Sequence, residues 1–306
     1  GVIQLAYDDV GNVTSVTDPL GHVTVFEYDE LNRQIRATAP DPDGNGPLVS
    51  PVTRFGYDAA GNLTELTDPL GRITQYGYDA LNRRDETIDA FGRTARTEYD
   101  ALGNVTAVGD ELGRRTEFDY DQLDRVTVVR DALGGSTVTT YDAAGNVRTV
   151  TDALARTTEF RYDALNRRIL TIGPDPDGPG PAGRPTTSFA YDAVGNLLDV
   201  TDPLGRLTAF EYDRLDRRTR IVQPDPDGAG PQSTPRTTFT YDPVGNLTTM
   251  TDPLGRTTVV TYDALDRIVA ATDALGRQTT TTYDAAGNVL TVSDALGRTT
   301  AFAYDD

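Results

Sequence analysis

The chain has 306 residues, no cysteine, one histidine and a formal net charge of −19. The lack of cysteine excludes disulfides and thiolate metal sites. The acidic balance disfavours a nucleic-acid partner, because phosphate backbones bind positive charge. No apolar run in the sequence has the length of a membrane span, so no transmembrane segment is predicted.

The Tyr-Asp pair organises the whole chain. It recurs fourteen times, at intervals of 21 residues in ten cases and of 29 residues in three. The tyrosines of these pairs are Tyr7, Tyr28, Tyr57, Tyr78, Tyr99, Tyr120, Tyr141, Tyr162, Tyr191, Tyr212, Tyr241, Tyr262, Tyr283 and Tyr304. Self-similarity at a fixed period indicates a repeat architecture. We therefore predict a single tandem array over residues 1–306, cut from a larger protein.

Each 21-residue unit contains two predicted turns. The first follows the tyrosine, as in Asp58-Ala-Ala-Gly61, and the second is Asp68-Pro-Leu-Gly71. Aspartate and proline favour the first two positions of a type I turn. A following left-handed residue completes a common hairpin connection with a G1 bulge. We therefore expect positive φ at the fourth position, which would strain Ala155, the alanine that replaces the usual glycine of the second turn.

The fourth and fifth positions of the first turn alternate along the chain. Gly-Asn stands there in every second unit, and Asn-Arg or Asp-Arg stands there in the others. Glycine, asparagine and aspartate are the residues that tolerate the left-handed region. We call the two types Gly-Asn units and Asx-Arg units; together they form a super-repeat of 42 residues.

Segments of six or seven residues between the turns have the length of typical strands. In one such segment Thr208, Phe210 and Tyr212 fall on one face by period-two alternation. Ala209 and Glu211 fall on the opposite face. The pattern recurs in other units and predicts one face with threonine and aromatic side chains and one charged face.

The strand that follows the Tyr-Asp turn alternates less cleanly. Leu247 and Met250 are three residues apart, which suggests a bulge near the turn. Counting two strands per unit gives about 27 strands, and no segment has helical periodicity. The predicted fold is all-β: a long antiparallel meander of tandem β-hairpins. Because open sheets seldom exceed about ten strands without curling, we expect this strip to curl into a spiral.

Three insertions of eight residues, at 40–47, 174–181 and 224–231, replace the second turn of an Asx-Arg unit. Their proline and glycine content predicts long loops at one rim of the sheet. Asp41, Asp43 and Asn45 have the spacing of some calcium-binding loops. The sister insertions have Pro179 and Ala229 in place of Asn45, and no bidentate glutamate follows. We therefore favour a proline-stiffened loop and predict no metal site.

No residue stands out as catalytic, and we predict neither an enzyme nor a cofactor. His22, the single histidine, occupies a position where other units have arginine, so it is interpreted as a drifted repeat position. With one histidine and no cysteine, triads and histidine metal sites are excluded. Asparagines in Asn-x-Thr sequons are turn residues in a bacterial protein but could carry glycans in an animal ectodomain. They are Asn12, Asn62, Asn104 and Asn246.

Tyr-Asp-x-x-Gly-Asn-(Leu/Val)-Thr followed by Asp-x-Leu-Gly-Arg-x-Thr resembles the signature of the Rhs, or YD-repeat, family over essentially the whole chain. The resemblance implies hairpin repeats that spiral into a hollow shell. Such shells enclose a C-terminal toxin in bacterial Rhs polymorphic toxins and in insecticidal toxin complexes. Related repeats occur in wall-associated proteins and in animal teneurins. The core region and variable toxin domain that follow the repeats in that family are absent from this sequence.

Two functions are consistent with these observations. The first is a structural shell segment whose partners are the remainder of its own shell and an enclosed toxin. The second is an extracellular module that binds carbohydrate or another cell. Both place the protein outside the bacterial cell or on its surface, and flanking sequence would discriminate between them.

Overall fold

The computed structural model describes residues 3–44, 46, 48–178, 182–228, 230 and 233–304. These residues form 27 strands of one antiparallel sheet and contain no helix, which confirms the all-β meander and the strand count. The first thirteen strands are β1 Gln4–Tyr7, β2 Val13–Thr17, β3 Val23–Tyr28, β4 Gln34–Thr38, β5 Val52–Tyr57, β6 Leu63–Thr67, β7 Ile73–Tyr78, β8 Arg84–Ile88, β9 Thr94–Tyr99, β10 Val105–Gly109, β11 Arg115–Tyr120, β12 Val126–Arg130 and β13 Ser136–Tyr141. The remaining strands are β14 Val147–Thr151, β15 Thr157–Tyr162, β16 Arg168–Ile172, β17 Thr186–Tyr191, β18 Leu197–Thr201, β19 Leu207–Tyr212, β20 Arg218–Val222, β21 Arg236–Tyr241, β22 Leu247–Thr251, β23 Thr257–Tyr262, β24 Ile268–Thr272, β25 Gln278–Tyr283, β26 Val289–Ser293 and β27 Thr299–Ala301.

The chain divides into two compact units. One comprises Gly1–Thr139 with Thr151–Ala155, and the other comprises Thr140–Val150 with Arg156–Asp306. Within the first unit each strand from β1 to β13 pairs with the next strand of the chain. Within the second, the same holds from β15 to β27. Every described pairing is therefore a local hairpin.

Both kinds of turn have the predicted geometry. In the first turn of one unit, the amide of Gly61 donates to the carbonyl of Asp58 at 3.2 Å, and the amide of Asp58 donates to the carbonyl of Asn62 at 3.0 Å. The Asp58 side chain also accepts a hydrogen bond from the Asn62 amide at 2.8 Å. The second turn repeats this arrangement around Asp68. One aspartate therefore fixes the turn with both its backbone and its side chain.

The fourth turn position has positive φ throughout the described turns, as predicted. It lies at 92–110° for the glycines of the Gly-Asn units, at 57–61° for the Asn and Asp of the Asx-Arg units, and at 75–86° for the second-turn glycines. Ala155 adopts the same region, with φ of 59°. Its amide keeps the turn hydrogen bond to the Asp152 carbonyl at 2.9 Å. The alanine therefore follows the repeat backbone instead of remodelling the turn.

A bulge follows each described Tyr-Asp turn that joins two paired strands. Tyr241 pairs with Leu247, and Phe239 pairs with Met250, so Thr248 is the extra residue. Because Tyr241 and Phe239 share a face, their partners Leu247 and Met250 share it too. The suspected bulge is confirmed, and it explains how apolar residues three apart reach the same side. The second turns join strands whose register is unshifted.

The two faces of the sheet differ as predicted. We define the aromatic face as the one that bears the Tyr-Asp tyrosines, the residues two and four before them, and their cross-strand partners. The opposite, polar face carries cross-strand ion pairs such as Arg36 with Glu27 and Arg220 with Glu211, both at 2.9 Å. It also carries hydroxyl pairs, for example Thr240 with Thr249 at 2.6 Å. Such pairs stabilise neighbouring strands by roughly 0.2–1 kcal/mol each.

The sheet has almost no enclosed core. Among the described residues only Ala107 is fully buried, with 1% of its surface exposed. The strand tyrosines and phenylalanines are mostly half-buried, and the leucines at the turns are strongly exposed. A domain normally buries its apolar faces between two packed layers. Within each compact unit, the described strands pair side by side in one sheet, and their aromatic side chains remain mostly half-exposed.

The three insertions join β4 to β5, β16 to β17 and β20 to β21, so they lie at the rim of the second turns, as predicted. One further backbone hydrogen bond extends the hairpin at the base of each loop, as between Ala39 and Pro51 at 2.8 Å. The loops share a glycine with φ of 65–67°. Residues 45, 47, 179–181, 229 and 231–232 lie outside the described part of these loops.

Candidate functional surfaces

Most Tyr-Asp tyrosines fasten one repeat to the one before it. The Tyr162 hydroxyl donates to the carbonyl of Val147 at 3.0 Å, and the Tyr212 hydroxyl donates to that of Leu197 at 3.0 Å. Nine further tyrosines make the same bond to the first residue of the preceding bulged strand: Tyr28, Tyr57, Tyr78, Tyr99, Tyr120, Tyr191, Tyr241, Tyr262 and Tyr283. The partner of the half-buried hydroxyl is thus a carbonyl beside the bulge.

A hydrogen-bonded relay runs along the first turns, which we call the Tyr-Asp rim. In six Gly-Asn units the asparagine amide bridges two turns. Asn62 donates to its own Asp58 and to Asn82 of the next turn, both at 2.9 Å. The same bridge joins Asn12 to Asn32, Asn104 to Asp124, Asn146 to Asn166, Asn196 to Asp216 and Asn246 to Asp266. The left-handed Asn or Asp of one unit is therefore the acceptor for its neighbour.

In five Asx-Arg units the arginine continues the relay to the next Gly-Asn unit. Arg167 forms an ion pair with its own Asp163 at 2.7 Å and donates to the carbonyl of Asp192 at 2.8 Å. Its guanidinium stacks over the Tyr191 ring, 4.8 Å from the centroid. Equivalent stacks pair Arg33 with Tyr57, Arg83 with Tyr99, Arg217 with Tyr241 and Arg267 with Tyr283. Cation–π contacts at exposed sites contribute about 0.5–1 kcal/mol.

Hydrogen bonds within the turns lower the pKa of most turn aspartates, as at Asp58 and Asp68. The side-chain hydrogen bond from Asn62 lowers the pKa of Asp58 below its usual value, helped by backbone amides of the turn. For Asp68, the Arg72 backbone amide is the main cause of a lowered pKa. The same direction is found in other turns that have the same contacts, such as those of Asp100, Asp142 and Asp252. These shifts reflect structural hydrogen bonding and do not single out a general acid or base.

The other residues considered from the sequence play local structural roles. His22 takes the place of the turn arginine, with its Nδ1 2.7 Å from the Asp18 carboxylate. In the candidate calcium loop, Asp43 accepts a hydrogen bond from the Leu48 amide at 3.1 Å, and Asp41 accepts one from the Asp43 amide at 3.1 Å. Asn45 lies outside the described residues. No cluster of three or more histidine or acidic residues suited to a metal ion occurs within the described ranges.

The sequon asparagines have their side-chain amides engaged. Both amide hydrogens of Asn62 are used by the two rim hydrogen bonds, and Asn12 has the same arrangement. A glycan attached to that nitrogen would displace one of them. In the folded protein these asparagines act as structural turn residues, which was the first of the two interpretations from the sequence.

Sequence reasoning missed the rim relay. Its signal was nonetheless visible, because Gly-Asn and Asx-Arg alternate without exception from Tyr7 to Tyr283. An alternation at a fixed position implies that neighbouring units need different residues there.

A search for membrane-spanning helices among the described residues finds none.

Several solved structures resemble the chain at low identity. A TcdB2–TccC3 complex without its hypervariable C-terminal region is 16% identical with a TM-score of 0.49, and the match covers 98% of this chain and 22% of that one. A TcdB2–TccC3–Cdc42 structure is 15% identical with a TM-score of 0.48, covering 95% and 20%. The Photorhabdus luminescens Tc holotoxin pore is 15% identical with a TM-score of 0.47, covering 99% and 18%. The chain thus spans about a fifth of these structures.

A search among curated proteins finds no match to the chain. The family model described as RHS Repeat matches it from end to end, at residues 7–45, 52–95, 99–136, 141–177, 191–228, 231–257, 241–278, 262–299 and 283–306. The matches follow the Tyr-Asp units whose turns, bulges and tyrosine bonds are described above. The chain belongs to the RHS repeat family.

Proposed function

We propose that the chain is a wall segment of an Rhs-type shell that encloses or presents a C-terminal toxin outside the bacterial cell. The observation that carries this proposal is the single-layer sheet with one fully buried residue, Ala107, among those described. A single layer with a half-exposed aromatic face lacks the second layer that normally covers such a face. It suits a wall that is covered by further parts of the same protein.

The distribution of polar residues supports a structural role without catalysis. Each turn aspartate does the same work as its counterparts in the other units, and its hydrogen bonds are satisfied within its own turn. An acid–base pair requires two titratable groups in distinct environments. A repeated wall requires identical groups in identical environments, which is what the described turns contain.

The proposal is tested in the full-length parent protein, by measuring protease access to the downstream toxin and its release. Tyr162→Ala removes a half-buried ring and its bond to Val147. Truncating a core aromatic residue lowers the free energy of unfolding by roughly 3–5 kcal/mol. Because the Tyr162 ring is only half-buried, we expect about half of that loss, together with greater protease access to the toxin.

Asp199→Asn is the matched control, because Asp199 lies on the polar face of β18, opposite Ala190. It should leave both readouts unchanged. If this or another single polar substitution abolished activity in a variant that folds and still protects its toxin, the wall proposal would be wrong. A localised binding or catalytic site would then have to replace it.

A further inference from the structure

The aromatic face is free of acidic side chains in the part of the chain that the structure describes. At the register positions of that face the strands carry aromatic, aliphatic, threonine and a few other neutral residues. The acidic residues with an assigned strand partner lie on the polar face: Glu27, Glu65, Glu86, Glu98, Glu117, Asp119, Glu159, Asp199 and Glu211. In a chain of net charge −19, this segregation leaves one face with no negative charge from its strands.

At the register positions that define the aromatic face, three described residues are charged, and all are arginines. Arg84, Arg168 and Arg218 are cross-strand partners of Tyr-Asp tyrosines, which fixes their face. Each occupies the first position of its strand, where most other units have valine, leucine or isoleucine. If the position only packed against its neighbours, an aliphatic residue would be sufficient there. The arginines at these three positions therefore indicate a role for the positive charge.

Two of these guanidiniums lie between aromatic rings of the neighbouring strands. Arg168 lies 6.0 Å from the Phe160 ring centroid and 4.8 Å from that of Phe189. Arg218 repeats the arrangement, 6.0 Å from the Phe210 centroid and 5.4 Å from that of Phe239. The rings hold the guanidiniums in place, and stacking leaves their edges able to donate hydrogen bonds.

Both arginines are exposed. Their backbone carbonyls accept hydrogen bonds from the Tyr191 and Tyr241 hydroxyls, but neither guanidinium forms an ion pair or a hydrogen bond with the described residues. The contrast within β20 is direct. Arg220, two residues after Arg218 and on the polar face, forms an ion pair with Glu211 at 2.9 Å. The guanidiniums on the aromatic face are thus positioned by rings while their charge remains uncompensated.

Arg168 on β16 and Arg218 on β20 lie in the same row of the sheet, four strands apart. At about 4.8 Å per strand, their backbones are separated by roughly 19 Å. An extended peptide rises about 3.3 Å per residue, so roughly six residues bridge this distance. The rings of Phe189 and Phe210 lie between the two arginines and offer apolar contact to the intervening residues.

We propose that this part of the aromatic face binds an extended acidic peptide, with carboxylates on Arg168 and Arg218 and apolar side chains on the rings between them. Arginine suits carboxylates because its planar fork can donate two parallel hydrogen bonds. A dense polyanion such as nucleic acid is disfavoured, since the chain as a whole is strongly negative. The proposal concerns one face of the 306-residue chain and holds whether or not the parent encloses a toxin.

The test measures fluorescence anisotropy of a labelled twelve-residue peptide with two glutamates six positions apart and leucines between them. A peptide with glutamine at both positions is the neutral control. We expect the glutamate peptide to bind the 306-residue chain at least tenfold more tightly. Arg168→Gln and Arg218→Gln should each weaken binding about tenfold, equivalent to about 1.4 kcal/mol.

Arg220→Gln is the matched control, because it removes the same charge from the same strand on the opposite face and should leave binding unchanged. Arg168→Lys keeps the charge but loses the fork, so it should bind with intermediate affinity. Circular dichroism of each variant checks its strand content. Equal weakening by Arg220→Gln, equal binding of the glutamine peptide, or tighter binding of an acidic oligosaccharide than of the peptide would each overturn the proposal.

Discussion

Replacing Ala155 with glycine should stabilise the protein. Ala155 has φ of 59° in a position where the other second turns have glycine. The left-handed conformation costs an L-residue roughly 1–2 kcal/mol. Glycine removes that strain but loses about 0.4–1 kcal/mol through the greater freedom of the unfolded chain. The difference leaves a net gain of roughly 0.5–1 kcal/mol. The turn hydrogen bond to Asp152 is made by the backbone and survives the change.

Urea unfolding, followed by tyrosine fluorescence because the chain has fifteen tyrosines and no tryptophan, measures the global effect. Because repeat arrays can unfold in parts, hydrogen exchange of the backbone amide at position 155 measures the change in local stability at this turn. Gly71→Ala is the mirror control. Its φ is 75° and an added Cβ would meet no atom within 4 Å, so only backbone strain can act and stability should fall. If Ala155→Gly were neutral or destabilising while Gly71→Ala destabilised, the strain argument for Ala155 would be refuted.

Three further predictions concern single interactions and pH. Tyr162→Phe should lower the free energy of unfolding by about 0.5–1.5 kcal/mol, because it deletes the bond to Val147 but keeps the ring; an unchanged urea midpoint would contradict this. EDTA should leave the melting temperature unchanged in the wild type and in Asp43→Ala alike, because the Asp43 carboxylate already serves its loop; a drop in the wild type alone would instead indicate calcium. The lowered pKa of Asp58 and its counterparts means that their stabilisation is complete above the ordinary aspartate pKa of 3.8 and is lost as pH falls through the folded value. Melting temperatures should therefore fall in acid below about pH 4, and a flat profile down to pH 2 would disprove the role of these carboxylates.

Local rules made much of this fold predictable. Aspartate, proline and glycine specify the turns, and period-two alternation specifies the strands, so strand count, turn type and face assignment follow from short stretches of sequence. Even the bulge was detectable, because Leu247 and Met250 could share a face only if a residue between them was extra. These features depend on interactions within one hairpin.

Contacts between hairpins were harder to predict. The partner of the tyrosine hydroxyl depends on which carbonyl the bulge in the preceding repeat brings near it. The bond from Asn62 to Asn82 joins residues twenty positions apart, and it arises because a left-handed asparagine directs its side chain along the rim. The uncompensated arginines of the aromatic face were also not predictable. Period-two alternation assigns residues to faces, but it does not show which charged side chains will lack an ion-pair partner.

The rim relay also sets the step by which such a protein can change length. Asn62 donates to the side-chain acceptor of an Asx-Arg unit, and Arg83 donates to the Asp100 carbonyl of the Gly-Asn unit after it. Loss of one Asx-Arg unit would bring two Gly-Asn units together, with a glycine where the asparagine amide needs an acceptor. Loss of 42 residues would rejoin the same kinds of partner. Recombination between repeats, or a designer who shortens the array, can therefore preserve the rim by removing hairpins two units at a time.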